Sequence, residues 1–165
     1  MAKEVAKSQD SKPVCDALRT AIGNHLGLIK VLGEQKAHFK RWRYAKIEKK
    51  LDRFIDRAKD DLECFQHRLE FYDERFDGEV RTIPWKPHDV IAIYQGDLAA
   101  LQEMKEQEAR SVEVCEAAGD YTTSNCFRKA IHHADKSIEN LEARLRTIQK
   151  DIGLPEYLSM HMHDE

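Results

Sequence analysis

Residues 121–158, YTTSNCFRKAIHHADKSIENLEARLRTIQKDIGLPEYL, decide the fold of this chain. Apolar residues fall at Phe127, Ile131, Ala134, Ile138, Leu141, Leu145, Ile148 and Ile152. The gaps alternate four and three, the spacing of a heptad seam along one helix face. Asp120 precedes the stretch as an N-cap and Gly153 follows as a stop. Pro155 closes the seam and leaves room for one further short turn, a fifth helix near Leu154–Met160. A helix of about 30 residues is roughly 45 Å long and buries such a seam only against partners of similar length. That asks for a bundle.

Working outward, the rest of the chain agrees. Of 165 residues, 35% are charged and 41% hydrophobic, with seven Gly and four Pro, a balance that suits one domain of long amphipathic helices. The net charge of −3 supplies no overall drive toward nucleic acid or membrane surfaces. No apolar run reaches the roughly 18 residues of a membrane span, and MAKEVAKSQD has no apolar signal core, so a cytoplasmic location is expected. Cys15, Cys64, Cys115 and Cys126 show no CxxC spacing and are expected as buried free thiols.

Residues 1–10 are expected as a flexible tail, 11–158 as the bundle domain and 159–165 as a flexible His/Met tail. Ser11 and Pro13 open a first helix whose seam runs through Val14, Leu18, Ala21, His25, Leu28, Leu32, Gln35, Phe39 and Trp42. Two polar residues, His25 and Gln35, therefore sit on a face that should be core. The run KRWRYAKIEKK at 40–50 interleaves basic and aromatic residues, either a phosphate-binding patch or the solvated start of a helix, the latter being expected. A turn is expected near Arg43–Lys46. The second helix, Ile47 to Phe76, has two possible seams, one through Ile47, Leu51, Phe54, Ala58, Asp61 and Phe65, the other through Ile55 and Leu62. Between Asp77 and His88 the periodicity stops, and Gly78, Pro84 and Pro87 suggest an extended crossover. A third helix, Asp89 to Ala118, points Ile91, Tyr94, Leu98, Leu101, Met104, Val112 and Cys115 inward, with Glu108 interrupting the apolar spacing.

The chain resembles bacterioferritin from about Leu18 to Leu158. The residues that carry the likeness are Asp97-Leu98-Ala99, Gly119-Asp120-Tyr121, Ile138, Leu141-Glu142, Ile148-Gln149-Lys150, Gly153-Leu154 and Tyr157-Leu158, with Asn24, Leu26 and Trp42 in the first helix. The resemblance implies an all-α ferritin-like four-helix bundle with its long crossover between helices two and three. It also implies dimers assembled into a hollow iron-storing cage, with a di-iron ferroxidase centre in each bundle and haem between subunits. Such a centre draws a Glu from two helices and a Glu-x-x-His pair from each of the other two.

Carried over, those six positions become His25, Ala58, Asp61, Leu101, Ala134 and Ser137, or Arg57 and Asp60 for the second-helix pair if the register slips by one. Only His25 and Asp61 remain as candidate metal ligands. The axial haem Met becomes Lys59, or Ala58 in the slipped register, and neither offers a thioether, so haem is not expected. His132 and His133 with Asp135, Glu63 with His67, and Glu34 with His38 are candidates for a shifted site. In the tail, His161 and His163 alternate with Met160 and Met162, ligands that suit late transition metals.

The expected function is a cage subunit for iron storage that lacks its own ferroxidase centre. It would act alone as a homo-oligomer or in a mixed shell with an active bacterioferritin subunit, with iron as mineral or weakly bound cargo. The alternatives are a ferroxidase with a remodelled site and an oligomeric interaction bundle that stores nothing.

Overall fold

In the computed structural model, which describes residues 11–162, four long helices run α1 Lys12–Arg41, α2 Ala45–Phe71, α3 Val90–Ala117 and α4 Tyr121–Arg146. A π-helical turn, Thr147–Ile152, and a short α5, Leu154–Met160, follow. No strand occurs among the described residues. The expected tail at 1–10 lies outside them. At its other end the domain extends past residue 158, since α5 continues to Met160 and His161 is buried.

Helix ends follow the local chemistry. Asp120 caps α4 by accepting from the Thr123 N–H at 2.9 Å, and Asp89 caps α3 by accepting from the Ala92 N–H at 2.9 Å. Gly153, at φ 79, terminates the π-helical turn. The second helix is shorter than its spacing suggests. It stops at Phe71, where Asp73 takes φ 58 and the backbone turns into the crossover.

α1 packs on α2, α3 on α4, α2 on α4 and α1 on α3, so the two hairpins lie side by side and the crossover joins diagonal helices. Arg68 near the end of α2 donates to Asp120 at the α3–α4 joint at 3.2 Å, which sets α2 and α3 parallel. Tyr72 donates to the same carboxylate. Burial raises the Asp120 carboxyl, but hydrogen bonds from Thr123 and Tyr72, with the Arg68 charge, outweigh it and hold the group below its ordinary value.

The crossover climbs the length of α1. Arg19 meets Glu74 at 2.8 Å, the Arg81 N–H donates to the Gly23 carbonyl at 3.0 Å, and the His88 ring stacks on Trp42 at 4.1 Å. Gly23 and Gly27 make this approach possible. A Cβ on Gly23 would lie 2.1 Å from the Glu79 carbonyl oxygen, and one on Gly27 would lie 2.1 Å from that of Arg81. Two notches one turn apart seat the strap.

The core falls into two apolar clusters. One gathers Leu28, Phe39, Leu51, Ile93 and Leu141, the other Val14, Ile22, Phe65, Cys115 and Phe127. Fully buried Phe39, Phe65 and Phe127 each contribute about 2–3 kcal/mol by leaving water. On α1 the predicted seam is buried except for Trp42, which is half-buried, and on α2 the seam through Phe54 and Asp61 is the buried one. On α3 the register differs. Val90, Ile93, Asp97 and Ala100 are buried where Ile91 and Leu98 were expected to point inward, and those two are half-buried.

The cysteines also differ from expectation. Cys64 of α2 and Cys126 of α4 form a disulfide across 62 residues of sequence, while Cys15 and Cys115 are buried free thiols. Closing a loop of that length constrains the unfolded chain by about 4 kcal/mol in the chain-entropy account.

Candidate functional site

Where the two apolar clusters meet, all four long helices contribute ionisable side chains to a small cavity: His25 from α1, Arg57 and Asp61 from α2, Asp97 and Glu108 from α3, and His133 from α4. The cavity is about 30 Å³, room for roughly one water molecule. His25 Nδ1 donates to its own helix at the Ala21 carbonyl, 2.8 Å away. That leaves Nε2 facing Asp61 Oδ2 at 3.9 Å and Glu108 Oε1 at 3.8 Å. The His133 Nδ1–H donates to Asp61 Oδ1 at 2.8 Å.

The electrostatics follow from burial. His25, 3% exposed, is pushed down to about 4 by loss of solvent, against the Ala21 hydrogen bond, and is a neutral ring at pH 7. Glu108 is pushed up to about 8, first by burial and then by the Asp61 charge, so it is a carboxylic acid at pH 7. Asp61 is pushed up to about 6 by burial, while the His133 charge and hydrogen bond pull it back. At neutral pH the Asp61 carboxylate is therefore held by His133, with the neutral acid of Glu108 and the neutral imidazole of His25 beside it. Glu108 Oε2 is buried without a hydrogen-bond partner. Nearby, Gln35 Nε2 donates to Asp97 Oδ1 at 2.8 Å, and burial pushes Asp97 up to about 7.

Apart from Arg57 and Asp97, the remaining walls carry no ionisable group. Ala58, Leu101, Ala134 and Ser137, which the resemblance places at four of six iron-ligand positions, are buried and line this cavity. None offers the carboxylate or imidazole a di-iron centre uses. The slipped register is not the one observed, because Ala58 and Asp61 are buried while Asp60 is exposed and Arg57 only half-buried. Among the described residues no group of three His, Cys, Asp or Glu side chains is placed to hold a metal ion. Lys59 at the axial haem position is exposed.

His25 and Asp61 meet, as their seam positions required. Glu108 and His133 complete the pocket, one having appeared in sequence as an interruption and the other as a flanking residue. The other combinations disperse. His132, Glu63 and His67 are exposed, Asp135 pairs with Lys105, and His38 packs among Trp42, Trp85 and His88. His161 is buried with both ring nitrogens engaged, Nδ1 with the Tyr157 carbonyl at 2.7 Å and Nε2 with Lys50 at 2.9 Å. His163 lies outside the described residues. No helix among the described residues is long and apolar enough to cross a membrane.

A family model described as a ferritin-like domain matches residues 15–151, which span all four long helices. No curated protein matches the chain. The chain belongs to the ferritin-like family.

Proposed function

We propose that this ferritin-like chain is a bacterioferritin-like shell subunit of an iron-storing assembly, and that it has no di-iron ferroxidase centre of its own. One observation carries the reading: Ala58, Leu101, Ala134 and Ser137 face the central cavity, where a ferroxidase would present carboxylates and imidazole. Two iron ions in one bundle need several carboxylates to offset their charge. Of the carboxyl groups on this lining, Asp61 is held by His133 and Asp97 by Gln35. Replacing the other donors with packing also relieves an empty bundle of clustered buried charge. Oxidation of iron would then fall to companion subunits, with this chain shaping the shell. A cytoplasmic location and self-association, or co-assembly with an active subunit, go with this reading; no haem, nucleic-acid or membrane partner is part of it.

Stopped-flow oxidation of Fe(II) by oxygen, on protein free of companion subunits, tests the enzymatic half. The expected trace has no rapid phase saturating at stoichiometric iron. A fast saturating phase abolished by His25→Ala or Asp61→Ala would overturn it. Sedimentation tests the shell half, which a pure monomer at micromolar concentration would sink.

A second reading has one observation in its favour. Five potential donors, His25, Asp61, Asp97, Glu108 and His133, line the cavity and Glu108 Oε2 has no partner, so the pocket is a candidate for a single remodelled metal. The His25–Asp61 and His25–Glu108 separations of 3.9 and 3.8 Å exceed the roughly 3.3 Å between neighbouring ligands on a tetrahedral ion. Anaerobic calorimetric titration with Zn(II), Mn(II) or Fe(II) decides it. Stoichiometric binding lost in Glu108→Gln would favour this reading over the first.

A further inference from the structure

Where α2 meets the end of α4 and α5 lies a larger hollow, about 600 Å³. Lys49, Lys50, Arg53, Arg57, Arg144 and His161 line it, and among the described residues no Asp or Glu does. The α2 cations recur at three- and four-residue spacing, which stacks them on one helix face. Arg144 faces them from α4. The π-helical turn widens the opposite wall, with its end residues Thr147 and Ile152 both on the lining.

Arg57, Lys50 and Arg144 meet neutral partners here. Arg57 donates to the neutral hydroxyl of Ser137 at 3.3 Å. The Lys50 ammonium donates to His161 Nε2, and the His161 Nδ1–H donates to the Tyr157 carbonyl, so the imidazole accepts as a neutral ring. Burial lowers the Lys50 amine, and the charges of Arg144 and Lys46 lower it further. Burial likewise lowers His161, with Lys50, Arg144 and Lys46 acting in the same direction. Arg144 lies over the rings of Phe54 and Tyr94, at 5.6 and 5.5 Å, and its Nη1 is buried without a hydrogen-bond partner. A guanidinium cannot shed its proton to relieve such crowding.

We propose that this hollow is a binding site for a phosphoryl anion, either inorganic phosphate or the end of a polyphosphate chain. Two or three negative charges spread over a tetrahedral set of oxygens match several cations arranged around a concave wall. Arginine forks bind such oxygens bidentately. Asn140 on the same lining adds a neutral amide donor. The hollow exceeds the volume of one phosphate, which leaves room for a second linked group. The site stands apart from the iron-storage reading and survives its failure.

The test is calorimetric titration of the full chain with inorganic phosphate and, separately, tripolyphosphate, at fixed ionic strength with chloride as the control anion. Saturable binding of one anion per chain is expected, weakened at least about tenfold by Arg53→Gln, as for loss of one charge-assisted contact. Arg53 is exposed, so this variant should fold; Arg144→Lys, which keeps the charge and removes the fork, should also weaken binding. Tripolyphosphate binding tighter by about tenfold or more would identify a chain end, and equal affinity a single phosphoryl group. No saturable heat up to about 10 mM phosphate or tripolyphosphate, or unchanged affinity in both variants, would overturn the proposal.

Discussion

The central pocket and the basic hollow pose the same problem and reach opposite solutions. Both crowd ionisable groups against apolar walls, and α2 supplies residues to both, Asp61 to one, Arg53 to the other and Arg57 to the wall they share. Arg57 apart, the groups of the central pocket are carboxylates and imidazoles, which discharge by exchanging protons. Glu108 keeps its proton, His25 gives its proton up, and Asp61 is left to pair with His133. In the basic hollow the arginines have no such escape, so the charge stays until solvent or an anion meets it. The pocket is closed to new charge, and the hollow invites it.

The largest effect should come from breaking the His133–Asp61 hydrogen bond in the central pocket. Asp61→Ala leaves His133 without its carboxylate and His25 with Glu108 alone facing its Nε2. Removing the acceptor of a buried, charge-assisted hydrogen bond costs about 2–3 kcal/mol, and urea denaturation at pH 7 should show a loss of about that size. A loss below about 1 kcal/mol would mean the pocket is wetter than its geometry implies.

Next in size is the proton on Glu108. Its folded value of about 8 lies above the 4.5 of an unperturbed Glu, so the folded chain binds more protons than the unfolded one between those values. The stability this proton supplies is complete below pH 4.5 and is lost as pH rises through 8. Glu108→Gln keeps the shape without the titration. Its stability relative to wild type should climb from pH 4.5 to 8 and then level. Even half of that separation amounts to about 2 kcal/mol. His25 works in the opposite sense, since its depressed value removes stability as pH falls from 6.5 toward 4. Both variants of the comparison carry His25, so the difference isolates Glu108. A flat difference would mean that Glu108 is solvated.

How much of this was legible in the sequence depends on which residue is asked. The α1 seam puts His25 and Gln35 in the core by spacing alone, one of the two seams open to α2 does the same for Asp61, and the structure buries all three. Glu108 falls where three-residue and four-residue steps are both allowed, so its charge looked like a break in the pattern although its place is inward. His133 precedes the seam residue Ala134, and only the reach of an imidazole toward α2 turns it into a partner for Asp61. The α3 register differs because Ile91 and Leu98 are as apolar as the residues actually buried, and the burial of Asp97 depends on its partner Gln35 from another helix. The Cys64–Cys126 disulfide joins residues 62 apart, a proximity set by how α2 lies on α4. The basic run at 40–50 was read as solvated, and half of the hollow it helps to build arrives from residues about a hundred positions later.

The smallest effect, and the sharpest separation of the two regions, should come from Arg53→Gln in the absence of any multivalent anion. Arg53 is exposed, so its removal should change stability at moderate salt by no more than about 0.5 kcal/mol. The informative quantity is the salt dependence. Like charges around an open hollow repel through solvent, and that repulsion is screened as the Debye length shrinks from roughly 30 Å at 0.01 M to 8 Å at 0.15 M. Wild type should therefore gain stability over this range, and Arg53→Gln should gain less because one repelling charge is gone. Buried pairs are screened much less, so Glu108→Gln should leave the salt dependence where wild type has it. Chemical denaturation in urea, which is uncharged, at the two chloride concentrations measures both slopes. A steeper salt response in Arg53→Gln than in wild type would show that Arg53 is compensated by a carboxylate, and the contrast between closed pocket and open hollow would collapse.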